Sequence, residues 1–296
     1  MIDLVKELNF MKIAISSDST LAISQLEAKQ LGIFVMPLNV IVDGKEYHDD
    51  IDITKEDLEK YMRDNRKIST STPTPFEIEQ YFNKIFAEGY EQVVHFTISQ
   101  KLSSMFDLFT RMCQELYGDK VLVINSSSVC HFMANHVLAA KKWRDEGASM
   151  KEIGEKFALR VNSEYALFIP ESLTFLKNGG RVSPAVALLG NFIGLRPILT
   201  FEEGGIGKKG TTRNLKKALL EQVDDFKAKG FTPDKYTIEI LQFATSSMNI
   251  EIVQAFFKAN FPDYEINIRP ISINVCAHAG PGTIGLGFNL KVGCIK

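Results

Sequence analysis

Long apolar runs, paired cysteines and a charge of one sign are all missing from this chain of 296 residues. No run approaches the ~18 apolar residues of a membrane-spanning helix, so nothing in the sequence suggests integral membrane contact. Its four cysteines, Cys113, Cys130, Cys276 and Cys294, are scattered with no CxxC. That spacing argues against disulfides and zinc and suits a reducing cytosol. The opening "MIDLVKELNF" has neither a basic start nor a long apolar stretch, unlike a secretory signal. Residues 1–11 read as an N-terminal extension. A formal net charge of −2 leaves no basic surface for nucleic acid. The expectation is a cytoplasmic protein without nucleic-acid partners.

What is present is an ordinary globular balance, 45% hydrophobic and 24% charged. The length fits two domains, given ~100–200 residues per domain. Short apolar segments alternate with helical ones: "KIAISS", "LAISQLEAKQLG", "IFVMPLNVIV", "TKEDLEKYMRDN", "FEIEQYFNKIFAEG", "EQVVHFTI", "SMFDLFTRMCQELYG" and "KVLVIN". The alternation predicts a mainly parallel sheet with helices on both faces. Residues 1–163 form the expected first domain. Residues 164–296, from "YALFIP" onward, read as an α+β second domain. Within it, "GIGKKGTTR" reads as a polar turn and Arg213 to Lys229 as one long helix.

Four loops at expected strand ends are rich in hydroxyls: Ser17–Thr20, Ser69–Pro75, Thr97–Ser104 and Asn125–Ser128. In open α/β sheets ligands sit beyond the carboxyl ends of strands. Hydroxyls and helix-end N–H groups are anion donors there. Each loop alone reads as an ordinary cap, but four at matching positions point to a shared site. The string Gly280-Pro-Gly282-Thr-Ile-Gly285 fits the GxGxxG pattern but lacks the dinucleotide context. Only eleven residues follow it, too few for a crossover helix, and Pro281 removes an N–H. Gly205 and Gly210 have phosphate-loop spacing, but Thr211 stands where lysine is required. His48, Asp49, Asp50 and Asp52 read as a solvated acidic face, not a metal site. His95 reads as a packing residue.

"SDSTL", "TSTPTP", "ISQKLSS", "LKNGGRVSP" and "HAGPGTIG" occur in the order found in the DegV family, which the chain resembles from about Lys12 to Leu290. The resemblance implies an α/β protein of two domains with a ligand tunnel between them. It further implies a lipid carrier without catalysis of its own and with no cofactor. Its ligand would be a long-chain fatty acid, presented to an ATP-dependent fatty acid kinase subunit. On the matching positions, Thr70 and Ser71 fall near the head group and Ser103 on the carboxylate-binding serine. His278 falls on the histidine before the glycine turn, with Gly280 letting backbone approach. Ser104 and Met105 depart from the family's Gly-Thr, leaving Ser104 as a carboxylate candidate and Met105 at the start of the tail pocket. Thr72 and Asn125 also depart. Pro184–Leu199 is the richest apolar supplier, so Phe106, Leu188, Phe192 and Ile193 join the expected acyl pocket. Arg181 and Arg213 match positions of kinase docking, and Lys208 and Lys209 add a basic face. A monomer is expected. The rival reading is a Ser103–His278 hydrolase oriented by Asp18, or another small-anion enzyme, although no GxSxG elbow occurs.

Overall fold

The computed structural model describes residues 12–182 and 195–295. Strand β1 (Ile13–Asp18) is buried along its whole length. A strand with no solvated face belongs inside a parallel sheet covered on both sides. β1 accordingly pairs in parallel with β2 (Phe34–Met36) and β6 (Gln92–Thr97), and β6 with β7 (Val121–Asn125). The sheet order is β2-β1-β6-β7. Side chains alternate between its faces. Ile13 and Ile15 pack with helices α5 (Cys130–Asp145) and α6 (Met150–Ala158). Ala14 packs with α3 (Pro75–Ala87) and α4 (Met105–Tyr117).

The apolar run "IFVMPLNVIV" is two strands, not one. β2 stays in the parallel sheet, while β3 (Asn39–Val42) enters a separate antiparallel sheet ordered β4-β3-β5. Pro37 lies at the break and has no N–H to continue a ladder. The Asp43-Gly44 turn leads into β4 (Lys45–His48). Thr54 and Asp57 form a reciprocal capping box on α2 (Lys55–Arg63). Ser69–Ser71, the start of the expected Ser69–Pro75 loop, belong to β5 (Ile68–Ser71), with Thr70 opposite Val40 and Ser71 opposite Asn39.

The remaining strands build a six-stranded sheet, β10-β9-β8-β13-β11-β12. It contains β8 (Tyr165–Ile169), β9 (Arg196–Glu202), β10 (Gly205–Thr212), β11 (Tyr236–Phe243), β12 (Ile266–Pro270) and β13 (Thr283–Leu290). All its pairs are antiparallel except β11–β12. "GIGKKGTTR" is thus mostly strand. The turn lies one step earlier, at Glu203 and Gly204, whose φ values of 49° and 75° suit a tight hairpin. The expected helix from Arg213 is split into α8 (Leu215–Leu220) and α9 (Val223–Ala228). One face of this sheet packs on α8, α9 and α10 (Ser247–Asn260) through Leu219, Phe226, Phe257 and Phe288. Its other face carries Ala166, Phe201 and Leu241 toward Cys130, Phe132 and Val40. Among the described residues three further short helices are present, α1 (Gln25–Leu31), α7 (Thr174–Asn178) and α11 (Ile273–Ala279).

Candidate functional site

"HAGPGTIG" is not a loop. His278 sits in the last turn of α11, Gly280 and Gly282 turn the chain at φ 80° and 75°, and Thr283 already begins β13. α11 is anchored at both ends to residues from the first half of the chain. At its start, Asn274 N–H donates to Asp49 Oδ2 at 3.2 Å. At its end, His278 Nε2 and Thr70 Oγ1 are hydrogen-bonded at 2.7 Å.

Between α11, the six-stranded sheet and the loops that follow the strands of the parallel sheet lies a cavity of about 130 Å³. Its polar wall comprises Thr20, Thr70, Ser71, Thr72, Ser103, Arg181, Asn274 and His278. The rest is almost entirely apolar. Met105 and Phe132 come from the helices of the first sheet, Phe168, Phe201 and Leu241 from the second sheet, and Val275 from α11. Gly285, in β13, leaves one stretch of wall without a side chain.

The hydroxyl-bearing segments are held by the backbone around them. Ser103 follows a turn in which Leu102 N–H and Ser103 N–H both donate to Ser99 O, at 2.9 and 3.2 Å. Ser99 Oγ in turn donates to Gly204 O at 2.7 Å, tying this loop to the tip of the β9–β10 hairpin. Asp18 is buried, accepting from Thr20 Oγ1 and from Ile98 N–H at 2.8 Å. Burial raises its pKa, and those bonds oppose the rise. Burial, followed by the nearby Arg181 charge, lowers His278 to about 4. The imidazole is therefore neutral at pH 7. With its proton on Nε2, Thr70 would keep its own O–H to donate. The second imidazole nitrogen faces Gly179, where any Cβ would collide with Nδ1.

The structure thus brings Thr70, Ser71, Ser103, Met105 and His278 onto one cavity. Several expected residues lie elsewhere. Ser104 is exposed at the N-cap of α4, and its side chain caps nothing. Phe106 is turned off the wall by the helical step after Met105. Gly280 caps α11, and a Cβ there would strike the Phe175 ring, so its freedom serves helix packing and not the cavity. Leu188, Phe192 and Ile193 fall outside the described residues. Arg181 is half-buried in the cavity wall, not outside it. Lys208, Lys209 and Arg213 are exposed, with Lys209 bonded to Asp225 at 2.9 Å. The Asn125–Ser128 loop does not reach the cavity. Asn125 Oδ1 instead accepts from Gln100 N–H and Ser127 N–H, each at 3.1 Å, so the departure there has a structural role. The Ser103–His278–Asp18 relay is not assembled, because Thr70 holds the imidazole and Asp18 bonds Thr20 and Ile98.

Two further readings change. Asp49 is not on a solvated face: it is 2% exposed, accepts from Ser19 Oγ at 2.9 Å, and is raised by burial to about 7. His95 does pack, stacked on Phe109 with centroids 4.5 Å apart, and burial lowers it to about 3. Asn274 was missed because nothing in the surrounding "ISINVCAHAG" marks it apart from its neighbours.

A parallel sheet, a small antiparallel sheet and a mixed six-stranded sheet, all flanked by helices, make an α/β architecture around an apolar cavity with a hydroxyl-rich end. The family described as "Uncharacterised protein, DegV family" matches residues 12–291. The chain belongs to the DegV family. A DegV domain-containing protein of Halalkalibacterium halodurans is 26% identical, over 95% of this chain and 99% of that one. The structure named "Fatty Acid Binding of a DegV family Protein from Thermus thermophilus" superposes with a TM-score of 0.84 at 27% identity, covering 95% of this chain and 100% of that one. A stearic acid-binding protein of Eubacterium ventriosum shares the fold, with a TM-score of 0.82 at 23% identity over 95% and 99% of the two chains. Among the described residues, no helix is long and apolar enough to cross a membrane.

Proposed function

We propose that this chain is a fatty-acid carrier. It buries the acyl tail in the apolar part of the cavity and holds the carboxylate at the Thr70–His278 end. The observation that carries this reading is the division of one cavity into a long apolar wall and a compact set of hydroxyls around a neutral imidazole. The fatty-acid binding named for the Thermus thermophilus relative supports it. Burying ~14 methylenes at ~0.8 kcal/mol each contributes about 11 kcal/mol before ordering costs. The tail therefore dominates affinity, and Thr70, Ser71 and Ser103 orient the head group. Residues 1–163 and 164–296 act as the two domains that enclose the ligand.

The finer part of the reading is presentation of the bound carboxylate to an ATP-dependent kinase partner in the cytoplasm. Lys208 and Arg213 support it as exposed cations that form no ion pair among the described residues. The chain itself acts as a monomeric carrier and not as a catalyst.

Native and denaturing mass spectrometry with lipid extraction tests the reading. One fatty-acid mass per chain, released on denaturation, is the expected result. A protein that purifies empty and takes up no added palmitic acid would sink it. Conversion of the bound acid to acyl phosphate by a fatty acid kinase subunit with ATP, dependent on this chain, tests the presentation step.

A further inference from the structure

The polar side chains of the cavity gather at both ends of α11. Thr70 and His278 meet at its last turn. Asn274 lies on the same face one turn earlier, roughly 6 Å away along the axis at ~1.5 Å per residue. Two more polar side chains of the wall, Thr20 and Cys130, belong to this second end. Asp49 Oδ2 accepts from Asn274 N–H at 3.2 Å and from Ser19 Oγ at 2.9 Å, which holds the turn carrying Thr20 against α11. Cys130 lies beside Ser272, the N-cap of α11, and its φ of 53° is uncommon for a residue with a Cβ. All three side chains are buried.

The donors here are already committed. Asn274 Nδ2 donates to Asn39 O at 3.3 Å, and Thr20 Oγ1 donates to Asp18. Asn274 therefore meets the cavity with its carbonyl oxygen, and Thr20 with the lone pairs of its hydroxyl. Burial pushes the Cys130 thiol up to about 12, so it stays protonated and is a weak donor. A plain alkyl tail laid over these oxygens would withdraw them from water and return no hydrogen bond, which is unfavourable.

We infer that the slot takes a fatty acid with a hydroxyl group on its chain, and that Asn274 and Thr20 select it. This inference rests on the carrier reading above. The hydroxyl donates to Asn274 Oδ1 or Thr20 Oγ1 and accepts weakly from the Cys130 thiol. A ketone on the same carbon has no proton to give and meets two acceptor oxygens, so it gains little. The step from His278 to Asn274 is short against the ~15 Å of a long acyl chain, half of a bilayer core. The favoured hydroxyl is therefore part-way along the tail and not at its methyl end.

The test is calorimetry at pH 7.5 on delipidated full-length protein. Stearic acid is compared with hydroxystearic acids whose hydroxyl moves from carbon 3 to carbon 12, each alongside its oxo analogue. One hydroxy isomer should bind roughly 3- to 10-fold tighter than stearic acid, as one neutral hydrogen bond allows, and its oxo analogue should not. Asn274→Leu should erase that advantage and bind stearic acid more tightly than wild type, because no amide oxygen is then stranded against the tail. The wild-type series decides the matter by itself if the leucine variant folds poorly. Stearic acid bound with no isomer tighter overturns the inference and leaves the carrier reading standing. An advantage that survives in folded Asn274→Leu protein overturns it as well. If wild type binds neither stearic acid nor any hydroxy acid, the carrier reading itself fails, and this inference fails with it.

Discussion

Thr70 and His278 stand 208 positions apart in the chain, yet their side chains meet in a 2.7 Å hydrogen bond at the polar end of the cavity. One comes from the edge of a small antiparallel sheet and the other from the last turn of a seven-residue helix. The bond fixes the imidazole plane, and the missing Cβ of Gly179 leaves room for the ring's Nδ1 side.

Removing either partner should weaken head-group binding without emptying the tail slot. His278→Ala and Thr70→Val are each expected to weaken palmitic acid roughly 10-fold, as for loss of a bond of ~1–1.5 kcal/mol. Gly179→Ala should have a comparable effect by displacing the ring. Calorimetric titration of delipidated protein checks this, and unchanged affinity in all three would remove the pair from the site.

Gly285 bounds the apolar wall, and a Cβ there would lie 3.3 Å from Leu241 Cβ. A larger side chain must therefore project into the slot. Gly285→Val is expected to weaken long acids more than decanoic acid, shortening the preferred tail. A panel of saturated acids displacing a fluorescent fatty acid would show whether the preference moves; an unshifted preference counts against this wall bounding the tail.

Arg160 is fully buried and donates to four backbone carbonyls, those of Asn135 (3.4 Å), Leu290 (2.5 Å), Lys291 (2.8 Å) and Cys294 (2.6 Å). Its Nε also reaches His136 Nδ1 at 3.1 Å. Arg160→Met would orphan those acceptors and the adjacent Glu164, at a cost of about 3–5 kcal/mol. Urea unfolding measures it; a loss below ~1 kcal/mol would mean that water replaces the guanidinium.

Asp49 and His278 should tilt stability in opposite directions with pH. The folded pKa of Asp49 is raised from 3.8 to about 7. The folded state therefore holds this proton more tightly, and its contribution declines as pH rises from about 4 to about 7. The folded pKa of His278 is lowered from 6.5 to about 4. Its contribution is complete above 6.5 and is lost as pH falls toward 4. Asp49→Asn should accordingly gain on wild type in melting temperature between pH 5 and pH 8. A constant difference across that range would show that Asp49 ionises normally.

Much of the site was legible because it is built from local signals. Thr70, Ser71 and Ser103 lie in short hydroxyl-rich strings, and His278 precedes a glycine turn that only a special backbone explains. Apart from Met105, the apolar wall was not legible. Phe168, Leu241 and Phe132 come from segments whose alternation is the same as that of any core strand or helix. Which face of β11 meets the cavity depends on a pairing to β13 that spans the second half. "IFVMPLNVIV" reads as one strand, and its division at Pro37 between two sheets is a tertiary choice. Lys208 and Lys209 looked like a turn because glycines surround them, whereas the hairpin turns at Glu203 and Gly204.

The fastening of α11 also bears on timing. Its two ends are bonded to Asp49 and Thr70, 225 and 208 positions earlier in the chain, so both partners are made well before the helix. N-terminal segments fold first during synthesis, so the parallel sheet can form with no cavity beside it. The pocket comes into being only once α11 has been made. A growing chain that has not yet made α11 therefore lacks the wall that His278 and Val275 supply.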